Sequence, residues 1–331
     1  MEKRKLIKFG SNSHVLSIPN YWLKKYKLNK GDLLYFEENR NGELILFPEL
    51  HKEESLKEIT IKADDKSIER LGREILSAYI NNSDFIIITG NNLDGIMKSI
   101  RKILHSFVAL EIVEENNKKI VARDFLNLRD VSIFENIRRM DIIIRGMLED
   151  MIKSVHEDHS NSIYQRDFDV NRFCFLILRA VHGAVDNPAI ARMLDVQNKD
   201  LLAIWLLSMN MEDIGDEIKR VSRFLRVHEL DEDLKKSIRI IFLKVEKAYL
   251  DVMKAYYAND IELAFYVDSL KDTLIEDCNK LFEKYPVTGV GRILERLKKL
   301  ISGIGSVAWV VFGAGLSERV KEVGSGFVLK S

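Results

Sequence analysis

The sequence predicts a multidomain, mainly α-helical chain whose front end carries two small β-containing regions. Three observations predict it. Short β-like runs broken by turn residues fill the first 50 positions, and strand-like and helix-like runs alternate from 52 to about 128. From about Ser132 onward, apolar residues recur at three- and four-residue spacing and the strand signal disappears.

With 331 residues there is room for two or three domains, each with its own core. Hydrophobic residues make up 46% and charged residues 31%, with 51 basic side chains against 51 acidic ones. This composition excludes a disordered chain. It also excludes attraction to nucleic acid by bulk charge, so such binding needs a local patch. Cys174 and Cys278 lack metal-ligand spacing and fall within helical patterns, which points to packing roles in a reducing, cytoplasmic compartment. Met1 to Lys8 is charged, without the apolar run of a secretory signal. Leu300 to Leu316 carries no formal charge but holds several Gly and Ser. It falls short of the roughly 20 residues of a spanning helix, so a buried or interface helix is expected and not a membrane span.

In chain order, Leu6–Phe9 and Val15–Ile18 read as strands around a Gly10-Ser11-Asn12 turn. Pro19 opens a short helix, Asn20 to Tyr26, at a position where its missing N–H costs nothing. Leu33–Phe36 and Leu44–Phe47 flank Asn41-Gly42, a strong hairpin dipeptide. The second region reads β-α-β-α-β-β: strand 58–63, helix 65–80, strand 85–89, helix 93–105, and strands 109–113 and 119–125 around Asn116-Asn117. Its Gly90-Asn91-Asn92 is too short for a phosphate loop, and the unit reads as a spacer or a small-molecule sensor. The third region yields six helices, 132–159, 163–185, 197–226, 231–258, 260–284 and 288–313, which form two similar sets of three. That layout implies a duplicated three-helix unit in antiparallel bundles. The expected domains are therefore 1–50, 52–128, 130–228 and 229–316, with a tail over 317–331.

Phe9-Gly10-Ser11, Leu16-Ser17-Ile18-Pro19, Trp22-Leu23-Lys24-Lys25, Leu28-Asn29-Lys30-Gly31-Asp32 and Gly42-Glu43-Leu44-Ile45-Leu46 cover nearly all of the first 48 residues. The resemblance that they carry is to the AbrB/SpoVT swapped-hairpin family. It implies that two chains interlace their hairpins into one β-barrel, making an obligate homodimer. Four very short strands in one chain bury too little surface to stand alone, which agrees with that reading. Nine basic side chains face six acidic ones over residues 1–50, and two copies double the excess. Lys24-Lys25 matches the family's basic pair after the short helix, Lys5 precedes the first strand and Lys8 lies within it, and these four are the expected DNA contacts. The other reading is a dimeriser whose lysines are merely solvated.

In the helical region Arg166-Asp167-Phe168-Asp169-Val170-Asn171-Arg172 precedes an apolar stretch, and Met211-Glu212-Asp213-Ile214-Gly215-Asp216 follows later. The first resembles the second helix of the PhoU family of phosphate-uptake regulators, and the second resembles that family's Glu-Arg-Ile-Gly-Asp motif. The family's acidic pairs are i,i+4 carboxylates, which a helix sets on one face and which repel unless a cation lies between them. Glu212 with Asp216 and Asp268 with Asp272 form such pairs. Asp167 faces Asn171 in a degraded third, and Ser302 and Ser306 stand at the fourth. Divalent metal or iron with oxygen ligands suits such sites, and a solvated helix face is the alternative.

No nucleophile elbow, zinc-protease helix or phosphate-binding glycine loop occurs, and the seven histidines are scattered, so no enzyme is expected. The resemblances together imply a DNA-binding regulator of phosphate homeostasis. The alternative is an adaptor that touches only a phosphate transporter ATPase or a phosphate-sensing protein.

Overall fold

The computed structural model describes residues 3–38, 42, 44–48 and 56–313. The chain divides into two units, Met1–Leu56 and Lys57–Ser331.

In the first unit, β1 (Ile7–Phe9) and β2 (Ser13–Val15) form an antiparallel hairpin, and α1 (Asn20–Lys25) follows. The turn rests on Gly10 at φ +72° and on the Ser13 hydroxyl, which donates to the Phe9 carbonyl at 2.6 Å. The Pro19 carbonyl accepts from the Trp22 and Leu23 amides and starts α1. Next, Asp32 accepts from the Asn29 amide at 2.6 Å, and Gly31 turns the chain at φ +100°. Then β3 (Tyr35–Glu38) pairs antiparallel with β4 (Leu44–Phe47). Gly42 has the positive φ that a hairpin turn needs, and Asn41 lies outside the described residues.

Two boundaries differ from the expectation. The second strand ends at Val15 because its partner begins at Ile7, so Leu16 to Ile18 have no strand beside them, and β3 starts two residues later than Leu33. The two hairpins are separate two-stranded sheets, and the described residues of one chain form no closed barrel. A strand pair offers few ladder bonds and one thin face, too little to close a core by itself.

The second unit opens with β5 (Glu58–Lys62), α2 (Ile68–Ile80), β6 (Phe85–Thr89), α3 (Met97–Leu104), β7 (Leu110–Asn116) and β8 (Lys119–Asp124). This is the order that the sequence predicts. The sheet runs β5-β6-β8-β7, with β5 and β6 parallel and the remaining pairs antiparallel. Ser67 caps α2 by accepting from the Arg70 amide, and Asn116 Oδ1 closes the β7–β8 turn by accepting from the Lys118 and Lys119 amides. Ile61, Ile86, Ile88, Ile120 and Ala122 share one face and pack with Leu71, Ile75, Ile100 and Leu104 of the helices. At the loop after β6 the Asn91 amide donates to Asp64, so a carboxylate already takes that donor.

Seven helices complete the chain: α4 (Ile133–Lys153), α5 (Ser160–Asp186), α6 (Pro188–Met193), α7 (Asn198–Val227), α8 (Glu232–Ala258), α9 (Ile261–Lys284) and α10 (Thr288–Gly313). Six are those expected, to within a few residues. The addition is α6, a single-turn piece that Asn187 caps with Pro188 at its first position. Ser132, Asp231 and Asp260 cap α4, α8 and α9. Asn259 at φ +48° ends α8 directly before the Asp260 cap, which makes that connection tight.

One apolar cluster runs from Ile133 to Val311, so the two three-helix sets share a single core. Tyr249 and Tyr256 are buried in it, and Trp205 and Tyr257 pack on its edge, as helical spacing predicts. Cys174 and Cys278 are both buried and free. The uncharged stretch of α10 buries Leu300, Ile301, Ile304, Val307, Ala308, Val310 and Val311, which makes it a core helix. Among the described residues no helix is long and apolar enough to cross a membrane. The expected tail, 317–331, lies outside the described residues.

Candidate functional site

The acidic motif of α7 faces α5, and their packing places Asp167 beside Asp216. Lys219 sits between them: its Nζ donates to Asp167 Oδ2 at 2.6 Å and to Asp216 Oδ1 at 2.5 Å. Arg220 holds the other oxygen of Asp216 at 2.7 Å and also pairs with Glu217, which Arg296 approaches to 3.6 Å. The helix geometry supplies these partners, because Lys219 and Arg220 follow Asp216 by three and four positions. Asn171, which stands where a second acid is expected, donates only a long 3.5 Å contact to Asp167.

The electrostatics follow from burial. Burial lifts Asp167 above the ordinary carboxylate range, against the pull of Lys219. On Lys219, burial disfavours the charge, but its hydrogen bonds to Asp167 and Asp216 outweigh that and raise its pKa. Burial, then the charges of Asp216, Asp213 and Asp167, push Glu212 up to about 7 against a smaller pull from Lys219.

The structure therefore joins two of the five expected metal residues, Asp167 and Asp216, through one ammonium group, and Glu212 feels the charges of both without a hydrogen bond or ion pair to them among the described residues. A hard cation here would need the oxygens of Asp167 and Asp216 that Lys219 takes. Asp268 and Asp272 lie on α9, and among the described residues no hydrogen bond or ion pair links them to this cluster. A Cβ at Gly305 of α10 would come within 3.4 Å of Asp268 Oδ1, while Asp272 is exposed. Among the described residues no group of three or more His, Cys, Asp or Glu is placed to hold a metal ion.

The residues that sequence reasoning missed are the basic ones. Lys219 and Arg220 belong to a stripe with Arg223 and Arg226 on one side of α7. The signal was available, since basic residues follow the motif's acids at i+3 and i+4.

In the first unit, Lys5, Lys8, Lys24 and Lys25 are all exposed. Lys8 stands opposite His14 in the register of β1 and β2, on the face away from Ile7, Phe9 and Val15. Lys24 and Lys25 occupy the last turn of α1, with Lys25 Nζ 5.2 Å from the Tyr26 ring centre.

No family model, no curated protein and no solved structure matches this chain.

Proposed function

We propose that the chain is a DNA-binding regulator of phosphate uptake and homeostasis. In this reading two copies interlace their first units into one barrel with a cationic face. The helical module responds to a phosphate transporter ATPase or a phosphate-sensing protein and alters how the paired hairpins engage the duplex.

One observation carries the reading. Among its described residues the first unit has no buried side chain, and Leu6, Phe9, Leu33 and Phe36 are 67%, 67%, 74% and 70% exposed. Apolar surface on that scale is covered in a stable protein. A second copy supplies matching hairpins, and the resemblance to the swapped-hairpin family favours that occupant. The alternation along β1 supports the rest: its apolar side is what a barrel would bury, and Lys8 stays outside with Lys24 and Lys25.

A gel-shift titration at two salt concentrations tests it. Salt-sensitive retention of duplex DNA by the wild type, lost in Lys24→Ala/Lys25→Ala, is the expected result. A folded dimer that retains no DNA would overturn it in favour of the adaptor reading. That second reading draws on the aromatic surface of α9 and α10, where Phe265, Tyr266 and Trp309 are exposed.

A further inference from the structure

A cavity of about 220 Å³ lies where the start of α5 meets the last turns of α7, lined by Ser160, Asn161 and Tyr164 of α5 and by Lys219, Arg220, Arg223 and Arg226 of α7. No acidic side chain lines it. The four cations follow from helical spacing, since 219, 223 and 226 stack on one side of α7 with 220 beside them.

They divide into two pairs. Lys219 and Arg220 are held by Asp167, Asp216 and Glu217, which fixes their positions and offsets their charge. Arg223 and Arg226 are exposed, and among the described residues neither forms an ion pair. Arg223 lies over the Phe224 ring at 5.4 Å, and Arg226 donates a long 3.4 Å contact to the Ser160 hydroxyl.

The opposite wall adds a second donor set. The 27-residue α5 begins at Ser160, has no side-chain hydrogen bond from its N-cap residue His159 and has no acid in its first turn. Its partial positive charge lies at the Ser160 end, where Arg226 reaches the Ser160 hydroxyl. Just before α5, Asp158 accepts from the Ser160 amide at 2.9 Å and feels the field of Arg226. It does not line the cavity. The larger cavity of about 430 Å³ beside it shares Arg226 but is lined also by Glu157, Asp158 and Glu229, so its charge is mixed and selects no anion.

We infer that the smaller cavity binds a tetrahedral phosphate group, with Arg223 and Arg226 as its charged ligands and the first turn of α5 and the Ser160 hydroxyl as further donors. Guanidinium forks match the oxygen spacing of phosphate, and helix N-termini favour anions. The group is either free inorganic phosphate or the terminal phosphate of a monoester. The inference goes beyond the regulatory reading and stands on residues of the second unit alone, so DNA retention and anion binding can fail separately.

Calorimetric titration of the full chain with inorganic phosphate and with phenyl phosphate, at constant ionic strength, tests it. One saturable site per chain is expected. Arg223→Ala and Arg226→Ala should each weaken it about tenfold, and Arg223→Lys less than Arg223→Ala. Both arginines are exposed, so the variants should keep the wild-type circular dichroism. Tighter binding of inorganic phosphate identifies the free anion as the ligand, and tighter binding of the ester identifies a phosphorylated partner; either outcome supports the site. Heats no different from those of a chloride titration, or wild-type binding by the folded Arg223→Ala/Arg226→Ala variant, would overturn it.

Discussion

Arg179 of α5 donates to the carboxylate of Asp124 at the end of β8, and both side chains are buried. The same guanidinium donates to the Tyr79 carbonyl at 3.1 Å and lies 4.6 Å from the centre of the Tyr79 ring. Asn82, just beyond α2, returns a 3.3 Å hydrogen bond to the Arg179 carbonyl. Phe175 packs against both apolar clusters, and its ring lies 5.9 Å from that of Phe107. The α/β portion and the helical bundle are thus pinned together by one buried cation and an aromatic seam, which is why they behave as one unit.

Replacing Arg179 by Met should cost about 3–5 kcal/mol, because it strands the Asp124 carboxylate in a low-dielectric place. Asp124→Asn added to that variant should recover part of the loss. Urea unfolding of the single and double variants measures both, and a loss below about 1 kcal/mol would count against the pin.

Adjacent tyrosines of α8 should respond oppositely to removal of a hydroxyl. Tyr257 donates to Asp141 Oδ2 at 3.0 Å, so Tyr257→Phe should destabilise by about 1.5–3 kcal/mol. The Tyr256 hydroxyl is buried without a hydrogen-bond partner among the described residues, so Tyr256→Phe should be neutral or stabilising by about 1 kcal/mol. Thermal melts of the two variants side by side decide it.

Glu212 gives stability a pH dependence of known sign. Its folded pKa of about 7 exceeds the ordinary 4.5, so between those values the folded state holds a proton that the unfolded chain has released. Stability relative to Glu212→Gln should fall as pH rises through that window and level off above it. Denaturation midpoints of both proteins across the window test this, and parallel curves would refute it.

Burial raises the pKa of the Cys278 thiol to about 12 and also raises that of Cys174. Neither should react with an aromatic disulfide reagent in the folded protein. Both should label only as denaturant unfolds the chain, with the two thiols counted by absorbance.

Phe9→Glu/Phe36→Glu places charge on the uncovered apolar surface of the first unit. If that surface mates with a second copy, association should weaken at least tenfold in sedimentation velocity while helical content stays unchanged. An unaltered dimer would show that it forms elsewhere.

The sequence by itself determined the element order. Helical spacing marks α4, α5 and α7 to α10 within a few residues, and turn dipeptides mark the small hairpins, because amphipathic period and turn chemistry are local properties. The short α6 escaped, since six residues are too few to show a period. The acidic motif was legible too, as Glu212 and Asp216 are one turn apart in any helix.

Only tertiary structure decided what faces that motif. Asp167 lies on another helix, 52 positions before Lys219, and their meeting depends on how α5 packs on α7. The same packing sets Arg223 and Arg226 against the start of α5, and the burial of Arg179 depends on how the sheet seats on the bundle. Charge balance and burial are sums over neighbours distant in sequence, and residue spacing along one chain carries no record of them.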